Sequence, residues 1–249
     1  MINESIKATL EIRNKIIIDA IIKKAEKVCP NSLALIGVYG SFSTGDICEK
    51  SDLDLLIIIN NDDGWNLGTA FIQGEIGQDI YCTCWKSLEH DAEYHSPHIS
   101  KLMDSKIVYC ADEKYNTRLS VLRNKASMII NAEFNETDYK KSYLVFENAI
   151  TKYAHLILST NIRDCRYYLA DILYEIENAI CLLNKKYFKL GVKRVFEELD
   201  QMPKKPANLI ILLKNAVFAN NIDEIKKYTT ELMAVVETYF SSIKSQMPF

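Results

Sequence analysis

The chain has 249 residues, 48% hydrophobic and 25% charged, with 30 basic against 33 acidic side chains and a net charge of -3. That length allows one large domain or two of ordinary size, and the composition is globular with ample core material. The charge lacks the basic excess of a nucleic-acid binder, and no apolar run approaches the length of a bilayer span.

The opening stretch MINESIKATLEIRNK carries acids where a secretory leader is apolar. Seven cysteines, odd in number and without framework spacing, fit reduced thiols, so the expectation is a cytoplasmic chain. Cys82 and Cys84 form a C-x-C pair on one strand face and read as two small buried side chains. The four histidines offer no finger-like spacing to turn that pair into a metal site.

In chain order, Glu4 to Val28 is an amphipathic helix with its stripe at Ile6, Leu10, Ile17, Ala20, Ile21, Ala25 and Val28, interrupted by Arg13. Pro30-Asn31-Ser32 ends it. Leu33 to Tyr39 is a short buried strand, and Gly40-Ser41-Phe42-Ser43-Thr44-Gly45 is a turn of small residues. A second apolar strand runs from Leu53 to Ile59. Two shorter strands, Ala70–Gln73 and Gln78–Trp85, flank Gly74-Glu75-Ile76-Gly77 and form a hairpin. Ser87 to Met103 is helical but interrupted at Pro97, and Lys106–Cys110 is the last strand.

Beyond Asp112 the strand-like runs stop. Helical periods place helices near 113–131, 138–159, 164–184, 190–199, 206–218 and 222–245, the last capped at Asn220-Asn221-Ile222-Asp223. The expected fold is α+β: an N-terminal mixed sheet flanked by helices over 1–112, then an all-α helical bundle over 113–249.

The chemistry-bearing pattern is Gly40-Ser41 followed, after a turn, by Asp52-Leu53-Asp54 opening a strand. Alternation along a strand puts both carboxylates on one face. There they repel each other and lose hydration, and a divalent cation relieves both costs. Hard oxygen donors suit Mg²⁺, commonly held by one or two carboxylates plus substrate phosphates. Gly40 and Ser41 are small enough to let amides and a hydroxyl approach phosphate oxygens.

The run GVYGSFSTGDICEKSDLDLLII resembles the signature of the nucleotidyltransferase superfamily, which includes DNA polymerase beta and the antibiotic nucleotidyltransferases. The resemblance implies nucleotide transfer from a metal-bound triphosphate, with Asp52 and Asp54 as metal ligands. It implies a third carboxylate on a later strand, for which Asp79 in Gln78-Asp79-Ile80-Tyr81-Cys82 is the candidate, and Glu75 in the turn a weaker substitute. It also makes Ser43 the second phosphate contact. A solvent-side strand residue is the plain alternative for Asp79. Lys50 in the intervening turn reads as a loop charge within reach of a phosphate.

More weakly, Ile36-Gly37-Val38-Tyr39-Gly40-Ser41, the two-part layout and the ending Met247-Pro248-Phe249 are similar to the aminoglycoside nucleotidyltransferases. That branch implies AMP transfer from ATP to a hydroxyl of a small acceptor, and a homodimer. It also implies a helical glutamate as general base with a lysine four residues on near the phosphate. Glu147 matches the base; four residues on stands Thr151, and the lysine falls at Lys152. A solvated helix face is the alternative for both.

Asp171, Glu175 and Asn178 follow one helical face, which suits a polycationic acceptor or is an ordinary exposed stripe. A protein-modifying enzyme of the toxin–antitoxin kind and a non-catalytic nucleotide-binding module are the competing readings.

Overall fold

In a computed structural model that describes residues 4–247, Glu4–Val28 forms helix α1 as the periodicity predicts. Pro248 and Phe249 of the C-terminal resemblance lie outside the described residues. By compactness the chain divides into two units: residues up to Ile130 with Lys189–Gly191, and Asn131–Phe188 with Val192 onward.

The first unit is built on a five-stranded sheet in the order β3-β4-β2-β1-β5. Its strands are β1 (Leu33–Val38), β2 (Asp54–Ile59), β3 (Thr69–Gln73), β4 (Ile76–Cys84) and β5 (Lys106–Cys110). β1 runs antiparallel to β2 and β5, β3 antiparallel to β4, and β2 parallel to β4, so the sheet is mixed as expected. Central position explains the apolar runs: Leu55 through Ile59 are all 0% exposed, so β2 is covered on both faces. The predicted hairpin closes with Gln73 opposite Ile76, and Gly74 takes the positive φ of its tight turn.

α1 packs Ile21 and Ala25 onto Leu33, Ile36, Leu55, Ile57 and Ile80 of the sheet. Its buried stripe differs from the sequence expectation. Asn14 is buried, while Val28 is 58% exposed and Ala20 also faces out. The stripe runs through Leu10, Asn14, Ile21 and Ala25 because Arg13 and Asn14 are held together, Nη2 of Arg13 donating to Asn14 Oδ1 and to the Ser51 carbonyl.

The turn after β1 is tighter than a loop, with Ser41–Thr44 closing one helical turn, α2, between Gly40 and Gly45. Pro97 separates α3 (Trp85–Glu93) from α4 (Ser100–Asp104) as predicted. Cys82 and Cys84 pack against the sheet core but are half-buried, short of the full burial that the C-x-C reading expected. α5 (Glu113–Asn131) is anchored on the sheet unit. Arg123 donates to the carbonyls of Leu102 and Ser105, and Arg118 pairs with Glu89 over the Trp85 ring.

The second unit is helical: α6 (Glu136–Leu158), α7 (Ile162–Leu183), α8 (Val195–Asp200), α9 (Leu209–Phe218) and α10 (Ile222–Gln246). Asn135, Asn161 and Asn221 cap α6, α7 and α10 by accepting backbone amides, so the cap read at Asn221 is where the helix starts. The core joins α6 to α10 through Phe146 and Phe240, stacked at 5.2 Å. α7 ends with Lys185 at φ 52 in the place usually taken by glycine, its amide donating to Leu182 O and that of Lys186 to Cys181 O. The buried Lys185–Asp138 pair at 2.9 Å holds that conformation against a steric cost of about 1 kcal/mol.

One acid in this unit has a measurable consequence. Burial pushes the Glu177 carboxyl on α7 up to about 7 from 4.5. The folded chain then keeps a proton that the unfolded chain gives up, so stability falls as pH rises from about 4.5 to 7 and levels off above. The loss is at most about 3 kcal/mol. Urea unfolding at pH 5 and pH 8 should show it, and Glu177→Gln should abolish that part of the difference. A variant with the same pH dependence as the wild type would place the titration elsewhere.

Candidate active site

The parallel pairing of β2 with β4 sets Asp54 in register with Asp79, so the two carboxylates are neighbours across the strands. Asp52 lies two residues before Asp54, with Leu53 between them 0% exposed, so the alternation expected of Asp52-Leu53-Asp54 is present although β2 itself begins at Asp54. Gln78 fixes this strand end: its Oε1 accepts the Leu53 amide at 2.8 Å. Arg13 fixes the preceding loop through the Ser51 carbonyl at 2.9 Å, where Asp52 supports its charge against burial.

Tyr39 follows β1 and is 9% exposed, and its amide donates to the Asp54 carbonyl at 3.1 Å. Burial raises its phenol above the ordinary tyrosine range, and the charges of Asp54, Asp79 and Asp52 with Tyr81 raise it further. The Tyr39 phenol therefore feels the charge of all three predicted carboxylates. Among the described residues no three His, Cys, Asp or Glu side chains close into a ready-made metal cage.

Gly40 is the tightest point. It has φ 61 and ψ -146, and a Cβ there would lie 1.9 Å from Asp54 Oδ2. The small residue read from the sequence is thus required by the carboxylate beside it. The Ser41 hydroxyl is buried and has no hydrogen-bond partner among the described residues, which leaves it available to a ligand oxygen. Ser43 differs: its hydroxyl donates to the Asp104 carbonyl at 2.9 Å, and its own carbonyl accepts Lys106 Nζ, so it ties α2 to the α4–β5 junction. Lys50 and Glu75 pair with each other at 2.8 Å in solvent.

The sheet matches a known family. Residues 21–109 fit the nucleotidyltransferase domain. The match spans the last two turns of α1 through β5 and so includes Gly40, Ser41, Asp52, Asp54 and Asp79. No curated protein matches the chain. Among solved structures it is similar to a nucleotidyltransferase-like protein from Exiguobacterium sibiricum, at 11% identity and a TM-score of 0.47, over 91% of this chain and 75% of that one.

Glu147 and Lys152 belong to the helical unit. Glu147 is exposed on α6 and, with Tyr139, Tyr143 and Met247, lines a cavity of about 380 Å³. Lys152 faces Asp171 at 3.6 Å. Burial raises the Glu175 carboxyl, an Asn148 hydrogen bond opposing and the Asp171 charge adding. Asn178 is 7% exposed, so the face read as one stripe turns inward at that position.

Sequence reasoning passed over Tyr39 and Lys101 near the predicted carboxylates. The Lys101 ammonium sits over the Tyr81 ring at 3.7 Å and the Tyr39 ring at 5.4 Å. Arg13 carried a visible signal, a cation inside an apolar helical stripe.

Proposed function

We propose that the chain transfers AMP from ATP to a hydroxyl of a small acceptor of the aminoglycoside class. The observation that carries this reading is the pairing of Asp54 with Asp79 across β2 and β4, beside a glycine with no room for a side chain.

Mg²⁺ is the proposed cofactor. The donors are hard carboxylate oxygens with the unpartnered Ser41 hydroxyl nearby in sequence, and this set fits an ion whose shell is completed by phosphate oxygens. When bound, such an ion supplies positive charge to offset that on the phosphate chain.

In the transfer the acceptor oxygen bonds to the α-phosphorus, the bond from that phosphorus to pyrophosphate breaks, and the acceptor proton passes to a carboxylate base. Glu147 is the proposed base, since an exposed carboxylate on a cavity wall is chemically apt to take that proton. Asp171 and Glu175 offer acidic groups that suit a polycationic acceptor.

Pure chain incubated with ATP, Mg²⁺ and a panel of aminoglycosides should release pyrophosphate with at least one of them. No release with any hydroxylated small molecule would overturn the acceptor assignment. AMP attached to a co-expressed protein would then identify a protein-modifying enzyme.

A further inference from the structure

Among the described residues, the cations on the elements next to the carboxylates include three that are committed to oxygen atoms. Arg13 donates to Ser51 O and Asn14 Oδ1, Lys50 pairs with Glu75, and Lys106 donates to Ser43 O. Among the described residues Lys101, half-buried on α4, is held by two aromatic rings and no carboxylate: Tyr81 at 3.7 Å and Tyr39 at 5.4 Å from centroid to Nζ. Tyr81 lies two residues from Asp79 on the same face of β4, and Tyr39 feels Asp54, Asp79 and Asp52. The ammonium is therefore held beside the carboxylates without being ion-paired to any of them.

We propose that Lys101 is a binding residue for the phosphate chain of the donor triphosphate, seated by the Tyr81 and Tyr39 rings. Three carboxylates at one site repel an incoming polyanion, and a fixed cation with no carboxylate partner offsets that repulsion. The rings hold the ammonium through their faces, which costs it part of its water shell while leaving its N–H donors for oxygen acceptors. A flexible lysine seated in this way reaches phosphate as a point charge. The proposal rests on the nucleotide-transfer reading and adds a residue outside the carboxylate motif.

Binding of a fluorescent ATP analogue in Mg²⁺, displaced by ATP or by AMP, tests it without any turnover. Lys101→Met should weaken ATP roughly tenfold or more, while AMP affinity changes less than about twofold, and Lys101→Arg should recover most of the loss. Thermal melting of each variant reports folding. A folded Lys101→Met chain with near-wild-type ATP affinity overturns the role of Lys101 alone. Equal weakening of ATP and AMP also overturns it and makes the side chain a packing element. A wild-type chain that binds no triphosphate overturns the nucleotide reading as well.

Discussion

Asp52→Asn and Asp54→Asn are each expected to reduce nucleotide transfer by at least about a hundredfold to a thousandfold while the chain stays folded. Both substitutions keep shape and hydrogen-bonding capacity and remove one negative charge. Leu53 stays buried and the β2–β4 register stays intact, because neither carboxylate contributes to the core. Without metal, Asp54→Asn should melt slightly above the wild type, since like charge beside Asp79 is relieved, whereas Asp52→Asn also removes the charge that supports Arg13. Pyrophosphate release measured beside a melting curve separates the outcomes, and turnover retained in either variant would remove that carboxylate from the chemistry.

Gly40→Ala is expected to damage both stability and activity. The backbone conformation there costs a residue with a side chain about 1–3 kcal/mol. The added carbon would also lie 1.9 Å from Asp54 Oδ2 and 2.7 Å from its Cγ, so Asp54 must leave its place. Loss of transfer should therefore match that of Asp54→Asn, with a lower melting temperature in addition. Gly45→Ala is the control: its φ is also positive, at 86, but no atom lies within 4 Å of the added carbon. It should cost about 1 kcal/mol of stability and leave activity near wild type. Equal activity loss in the two variants would show that α2 strain, and not the contact with Asp54, makes Gly40 necessary.

The carboxylate pair and the glycine were legible because they depend on neighbours in sequence. Alternation places Asp52 and Asp54 together from spacing alone, and the β3–β4 hairpin follows from Gly74. The apolar run Leu53–Ile59 likewise announces a buried strand. The α1 stripe was read with Ala20 and Val28 inside, and there the pattern failed at Asn14. A polar residue can occupy a buried position when its neighbour satisfies it, and here Arg13 holds Asn14 while its other end is fixed by the distant Ser51 carbonyl. The Ser51 end of that bridge, 38 residues away, is what the local pattern does not carry. Lys101 and Tyr39 were invisible for the same reason, because α4 and the end of β1 are separated by three strands of chain. Ser43 was read as a phosphate contact from position in the motif, whereas its hydroxyl holds the Asp104 carbonyl.

The hydrogen bond from the Leu53 amide to Gln78 has a consequence for assembly of the fold. Strand register decides which side chain of β4 stands beside Asp54, and a slip of one residue would exchange Asp79 for Gln78 or Ile80. The same slip would drive the Asp79 carboxylate toward the sheet core and expose Ile80, which is 2% exposed in the correct pairing. A misaligned chain is therefore penalised in stability at the step that would deprive it of its acidic site. Chains that reach the stable sheet carry their carboxylates already aligned, so chemical competence is inspected by the folding reaction itself.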